Sequence, residues 1–324
     1  MDKRLALLEH WLERTLGSTE LEITPASADA SFRRYFRVRY DSVSRIVMDA
    51  PPDKEDCGPY IMVAQAFSSL GLNVPHIFQA DPEQGFLLLS DLGVMNYLDA
   101  LNAANVERLY GDAMKALMVV HAHKDSCADR FPPYNRSLLM NEMNLFRDWY
   151  LEKYLSLVLH EEHRQILKNV FEILISSALE QPRVWVHRDY HSRNLMVVDD
   201  NNPGIIDFQD AVIGPLTYDL VSLLRDCYIS WPDENVQTWA GNYYQYLRDS
   251  GLLNGVDKSQ YTRWFDLMGI QRHLKAIGIF SRLNLRDGKP GYLQDIPRTL
   301  GYVSDVSARY PELRGLNRLL AEIA

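Results

Sequence analysis

The run His187-Arg188-Asp189-Tyr190-His191-Ser192-Arg193-Asn194, with Asp207 thirteen residues beyond Asn194, constrains this chain more than any other feature. It follows the apolar, β-favouring Val184-Trp185-Val186. After it come Leu195 to Val198, the turn sequence Asp199-Asp200-Asn201-Asn202-Pro203-Gly204, and Ile205-Ile206. A loop that leaves one strand and enters a hairpin is therefore expected. The two arms of such a hairpin bring Asn194 and Asp207 to its open end within a residue or two of register, where their oxygens converge. Two protein oxygens suit a hard cation such as Mg2+, which completes its shell with water and phosphate oxygens, so this pair can hold the metal of a nucleoside triphosphate. Asp189, on the same loop, is not needed as a ligand and can accept a hydroxyl proton while orienting the attacking oxygen. A zinc reading of His187 and His191 requires both on a helix, against the β-type segment before them. The competing expectation is that His187 braces the loop and His191 packs beside the metal.

The rest of the chain divides around this loop. Leu5, Leu8, Trp11, Leu12 and Leu16 recur at helical spacing up to Gly17. Residues 31–48 alternate as a hairpin about Asp41 and Ser42, a helix is expected over 60–70 ending at Gly71, and strands over 74–79 and 85–90. Beyond Asp91-Leu92-Gly93 the periodicity is helical over 106–121, 136–154, 161–180, 218–227, 236–249 and 261–280. The expected class is α+β and bilobal: a small β-rich nucleotide-binding N-lobe over 1–90, and a larger α-helical C-lobe over 91–324 that carries the catalytic loop and the substrate site. The segment beyond 280 is less informative.

HRDYHSRN followed by IIDFQD resembles the catalytic loop and metal-binding segment of the protein-kinase-like fold. The second histidine, Asp-Phe-Gln-Asp in place of Asp-Phe-Gly, and Gly214-Pro215-Leu216-Thr217-Tyr218-Asp219-Leu220 are similar to the aminoglycoside phosphotransferase and choline-kinase group of small-molecule kinases. The resemblance covers most of the chain. It implies ATP as phosphoryl donor, Mg2+ on Asn194 and Asp207, Asp189 as the proton acceptor, and Asp219 hydrogen-bonding the catalytic loop from below. Leu87 to Gly93 resembles that group's hinge, whose backbone receives adenine, which makes Ser90, Asp91 and Leu92 candidate nucleotide contacts.

The small lobe departs from that pattern. It has neither GxGxxG nor GxxxxGK[ST]; the small residues Ser27 to Ser31 stand where a phosphate-covering loop belongs. Met48 occupies the strand position at which protein kinases place a phosphate-pairing lysine, and residues 60–70 contain no acid to partner one. Ser31, Arg33 and Arg34 are the candidate phosphate contacts, with Arg37 a further cation; solvated edge-strand arginines are the alternative reading.

Composition and charge narrow the partners. With 34 Lys and Arg against 43 Asp and Glu, the net charge of −9 argues against a phosphate-backbone footprint, so no nucleic acid partner is expected. No run reaches the roughly 18 apolar residues of a spanning helix, so no membrane partner is expected either. Glu9, His10, Glu13 and Arg14 interrupt any apolar signal core, and Cys57, Cys127 and Cys227 are scattered without CxxC spacing; a cytoplasmic location is expected.

For the acceptor, Asn141 to Tyr150 and Gln271 to Lys275 mix acids, bases and amides, which suits hydroxyl-rich neutral or anionic sugars. Glu142, Arg147 and Arg272, with His191 and Arg193 of the loop, are the candidate substrate contacts; ordinary polar helix faces are the competing explanation. The runs YNRSLLMNEMNLFRDWYL, VHRDYHSRNLM and QRHLKAIGIF resemble the anomeric amino-sugar kinases of cell-wall recycling, which implies a small-molecule amino-sugar acceptor phosphorylated at its C1 hydroxyl. An aminoglycoside, choline or homoserine kinase of the same fold remains open, as does a non-catalytic nucleotide-binding pseudokinase, motivated by Met48 and the missing clamp.

Overall fold

The computed structural model of the chain describes residues 2–28, 32–123 and 131–323. Two compact units result, Met1–Ala100 with Asn194–Asp210, and Leu101–Arg193 with Ala211–Ala324.

In the first unit, α1 (Lys3–Leu16) starts where the Asp2 carboxylate accepts the N–H groups of Arg4 and Leu5, and it stops at Gly17, whose φ of 66° is the left-handed conformation glycine adopts without strain. Five antiparallel strands follow: β1 (Glu22–Ala28), β2 (Arg34–Tyr40), β3 (Val43–Asp49), β4 (Ile77–Asp81) and β5 (Phe86–Ser90), ordered β1-β2-β3-β5-β4. Period-two alternation puts Phe36, Val38, Val47, Phe86 and Leu88 on one face, where Leu8, Trp11 and Leu12 of α1 cover them. Strand β1 was not legible beforehand. It contains Pro25, which a sheet tolerates because β1 is an edge strand whose register shifts between Pro25 and Ser27. The anticipated phosphate-covering run thus gives its first residues to β1, and Ser31 lies outside the described residues. Helix α2 (Gly58–Ser69) completes the sequence up to β4, and the short helix α3 (Tyr97–Ala100) follows β5.

The hairpin expected after the catalytic loop is the short pair β7 (Leu195–Met196) and β8 (Gly204–Ile205), with Leu195 opposite Ile205. It belongs to the first unit. The cause is backbone pairing: the Ile205 N–H donates to the Asn73 carbonyl (2.7 Å) and the Val197 N–H to that of Met95 (2.8 Å).

The second unit is helical: α4 (Val106–Ala122), α5 (Arg136–Leu145), α6 (Glu161–Leu179), α7 (Tyr218–Leu224), α8 (Asp233–Asp249), α9 (Lys258–Asp287), α10 (Ile296–Ser307) and α11 (Arg314–Ile323), with one antiparallel pair, β6 (Arg183–Val186) and β9 (Val212–Pro215). Helix α9 runs through its middle and packs against α5, α6, α7, α8 and α10, which is why it is buried on nearly every face. Where one helix was expected over 136–154, α5 passes at Phe146 into a π-helical segment, Phe146–Tyr154. Close approach of α9 accompanies that change. A Cβ on Gly278 would lie 2.3 Å from the Leu145 carbonyl carbon, inside any permitted contact. Gly278→Ala is therefore expected to destabilise the protein by about 2 kcal/mol, read as a lower urea midpoint; an unchanged midpoint would mean that the two elements can separate freely. Among the described residues no helix is long and apolar enough to cross a membrane.

Candidate active site

Strand β6 delivers the catalytic loop, and buried carboxylates tie it down. The N–H groups of His187 and Arg188 donate to Asp219 at 2.6 and 3.0 Å, and the Ser192 N–H donates to Asp226 at 2.9 Å. The Asp189 N–H donates to His187 Nδ1 (3.2 Å), and the Tyr190 hydroxyl to the Ala113 carbonyl (2.8 Å). Asp219 is completely buried at the start of α7. Burial raises its pKa to about 6 against the opposing pull of His187 and the two N–H donors. Arg188 takes a left-handed φ of 77°, and its guanidinium pairs with Glu142. That carboxylate also receives the Lys275 ammonium (3.1 Å), the Tyr134 hydroxyl and the Gln271 amide (3.2 Å). The backbone on either side of Asp189 is thus held through the His187, Arg188 and Ser192 N–H groups.

Asp189 itself opens onto a pocket lined also by His191, Tyr218, Cys227, Tyr228, Arg272, Lys275 and Phe280. Burial opposes its ionisation, but the positive charges of Lys275, Arg188 and Arg272 outweigh burial and hold its pKa down at about 2. Burial has the opposite consequence for His191, lowering it to about 4, so the imidazole is neutral at pH 7. Its ring meets the edge of Tyr228. A permanently ionised carboxylate in a pocket walled by aromatic rings and cations can receive a proton from a hydroxyl and hold that hydroxyl's oxygen in line.

Of the candidate substrate contacts, His191 and Arg272 line this pocket. Glu142 stands behind it as the shared anion of Arg188 and Lys275. Arg193 lies over the Tyr228 ring at 3.7 Å, and Arg147 pairs with Asp148 in the π-helical segment.

In the first unit the ends of the hairpin meet. The Ile206 N–H donates to the Asn194 carbonyl (3.0 Å), and the Asn194 side-chain amide reaches Asp207 Oδ2 at 3.3 Å. Asp207 has a φ of 62°, and Gln209 Nε2 donates to its Oδ1 at 2.7 Å, orienting the carboxylate. Phe208 anchors the turn, its ring 4.9 Å from Tyr60 and 6.0 Å from Phe67. Among the described residues no three His, Cys, Asp or Glu side chains gather as an all-protein metal cage. The donor set is one carboxylate and one carboxamide, which fits Mg2+ held jointly with phosphate oxygens and water.

The cations proposed for the phosphates separate by their partners. Arg34 is engaged by Asp49 and Asp2, and Arg37 by Asp91 (2.7 Å). Arg33 lies near enough to Tyr60 for its charge to oppose that of Asp207 at the Tyr60 hydroxyl, whose pKa burial raises. Met48 is fully buried opposite Leu87 and brings no charge to its strand position. In the hinge-like run, the Ser90 N–H donates to the His76 carbonyl and its hydroxyl accepts the His76 N–H, both at 2.9 Å. Asp91 accepts from Arg37, from the Ser44 hydroxyl and from the Gly93 N–H (3.0 Å), and the Leu92 side chain lies against Gly204. The side chain of Asp91 is thus occupied within the unit.

Sequence reasoning passed over Lys275, Asp226, Tyr228 and Gln209. For Lys275 there was a signal, since it follows Arg272 by three residues and shares its face of α9. For Asp226 and Tyr228 there was none, because nothing local distinguishes a carboxylate that caps a loop 34 residues earlier in the chain.

Residues 22–254 match the phosphotransferase enzyme family. The chain is 45% identical to the N-acetylmuramate/N-acetylglucosamine kinase of Pseudomonas aeruginosa, over 99% of this chain and 97% of that protein. To the protein of the same name from Neisseria meningitidis serogroup B it is 42% identical, over 99% and 96%. Among solved structures, an aminoglycoside phosphotransferase with ADP bound superposes with a TM-score of 0.59 at 16% identity, over 94% of this chain and 99% of that one. The α+β, protein-kinase-like fold is therefore as expected, and on the family match and the near-complete relatives this chain belongs to the phosphotransferase enzyme family.

Proposed function

We propose that this protein is an ATP-dependent sugar kinase that phosphorylates the C1 hydroxyl of N-acetylmuramate and N-acetylglucosamine, giving sugar 1-phosphates. One observation carries the acceptor: 45% identity, over 99% of the chain, to a protein named for those two sugars. The chemistry is supported by the ionised carboxylate of Asp189 facing a pocket. In this reading the C1 hydroxyl donates its proton to Asp189 as its oxygen bonds to the γ-phosphorus and the bond from that phosphorus to the β-phosphate oxygen breaks, releasing ADP. Asn194 and Asp207 would hold Mg2+, which neutralises phosphate oxygens when bound. His187 and Asp219 brace the loop and touch no reactant.

For the nucleotide, the backbone of Ser90, Asp91 and Leu92 would receive adenine, and Ser31 and Arg33 would meet the phosphates. Arg33 is preferred over Arg34 because its charge acts at Tyr60 together with that of Asp207. The same reading locates the enzyme in the cytoplasm, where ATP is supplied and the buried thiols of Cys57 and Cys227 stay reduced. The net charge of −9 fits a small-molecule partner better than nucleic acid.

The test incubates the protein with Mg-ATP and, separately, N-acetylmuramate, N-acetylglucosamine, kanamycin, choline and homoserine, following ADP release and locating new phosphate by phosphorus NMR. A C1 phosphate on both N-acetyl sugars is expected. Turnover confined to another acceptor would discard the substrate and keep the chemistry; nucleotide binding with no turnover would discard the enzyme reading.

A further inference from the structure

The cations around the pocket differ in how their charge is satisfied. Lys275 donates to Glu142 (3.1 Å) and to the Tyr218 hydroxyl (3.0 Å). Arg188 pairs with the same glutamate, and Arg193 stacks on Tyr228. Arg272 has no such arrangement. It is 5% exposed and lines the pocket, yet among the described residues its one hydrogen bond is a long contact of 3.5 Å from Nη1 to the Cys227 sulfur. Among the described residues no carboxylate lies within ion-pair distance of it. The charges of Asp226 and Asp189 favour the guanidinium without touching it, and a thiol is a weak acceptor, so a carboxylate entering the pocket would add direct hydrogen bonds that the fold does not supply. Of the groups lining the pocket, Asp189 is the single anion, against Arg272 and Lys275. The lining is cationic, and among the described residues Arg272 is its cation with no carboxylate in contact.

We infer that Arg272 is a specificity-determining residue that reads a carboxylate on the acceptor, pairing with the lactyl carboxylate of N-acetylmuramate while Asp189 engages the C1 hydroxyl. The inference rests on the proposed sugar-kinase reading and deepens it. A planar guanidinium offers two parallel N–H groups to a carboxylate, a geometry lysine lacks, and an incoming carboxylate supplies the contact ion pair that the fold does not. N-acetylglucosamine has no such group and would enter with the Arg272 charge still unpaired.

The experiment compares kcat/KM for N-acetylmuramate, its neutral methyl ester and N-acetylglucosamine in wild type, Arg272→Gln and Arg272→Lys. Wild type is expected to prefer the free acid over its ester by about tenfold or more, with Arg272→Gln reducing that ratio to near unity and Arg272→Lys retaining part of it. The ratio cancels any general loss caused by repacking. Equal rates for acid and ester in wild type, or a preference that survives in Arg272→Gln, would overturn the inference. So would an equal loss on all three acceptors, which would assign Arg272 to the transferring phosphoryl group. If wild type turns over neither sugar, the sugar-kinase reading fails by itself. Calorimetric binding of the acid and the ester to wild type and Arg272→Gln then decides the inference: acid-selective binding lost in the variant supports it, and any other pattern overturns it.

Discussion

Asp189→Asn is expected to lower kcat by about a thousandfold while leaving the affinity for Mg-ATP within about twofold of wild type. The substitution keeps the size of the side chain and removes its capacity to take the proton. Because the loop is held through the His187, Arg188 and Ser192 N–H groups rather than through the Asp189 carboxylate alone, its course should survive the change. Steady-state rates and nucleotide titration read the two effects separately, and near-normal turnover would remove Asp189 from the chemistry. The pH dependence follows from the same surroundings. With its pKa held at about 2 by Lys275, Arg188 and Arg272 against burial, Asp189 stays ionised throughout the working range and contributes no acid limb to kcat/KM between pH 5 and 8. A folded value below the unfolded one means that the ionised group stabilises the fold above the ordinary carboxylate range, and that this contribution is lost as pH falls through about 4 towards 2. Asp189→Asn should therefore be less stable than wild type at pH 7, by roughly 1–2 kcal/mol, with the gap narrowing in acid. Urea midpoints at pH 7 and pH 3 measure it, and a gap that widens on acidification would contradict the assignment of cause.

Asp207→Ala should act at the other end of the reaction, raising the Kd for Mg-ADP by about tenfold or more and reducing turnover by about a thousandfold. Calorimetry with and without Mg2+ separates the metal-dependent part. Affinity for metal-free ADP is expected to change little, and an unchanged Mg-ADP affinity would rule out Asp207 as a ligand. The supporting geometry is local: Asp207 takes a left-handed φ of 62° next to the buried Phe208, and Asn194 and Gln209 both donate to its carboxylate. Gln209→Ala removes one of those donors without removing a ligand, and a smaller loss of Mg-ADP affinity than in Asp207→Ala would identify it as a positioning residue.

The elements that could be read from the chain are those whose period matches their burial. Leu8, Trp11 and Leu12 of α1, and the alternation of Phe36 and Val38 in β2, face one core and declare themselves in sequence. Strand β1 escaped because Pro25 argues against a strand unless it is known to lie at an edge. The π-helical segment escaped because its residues have ordinary helical character; Gly278, more than a hundred positions away, makes the close approach at its start. Helices α10 and α11 lie in the less informative stretch beyond residue 280, although Leu316, Leu319 and Leu320 pack inward at helical spacing.

The same distinction holds for the site. By itself the sequence determined which side chains could carry the chemistry, since Asp189, Asn194 and Asp207 lie within one loop and one hairpin, where short-range spacing dictates position. Asn194 and Asp207 accordingly meet at 3.3 Å. Tertiary structure alone decided how Asp189 is charged and which cations have no carboxylate in contact. Asp49 and Asp2 engage Arg34, Asp91 engages Arg37, and Glu142 is shared by Arg188 and Lys275. The Arg272 guanidinium is left with a thiol. Electrostatic pairing and desolvation depend on distances between residues far apart in the chain, and those distances exist only once α5, α7 and α9 have packed together.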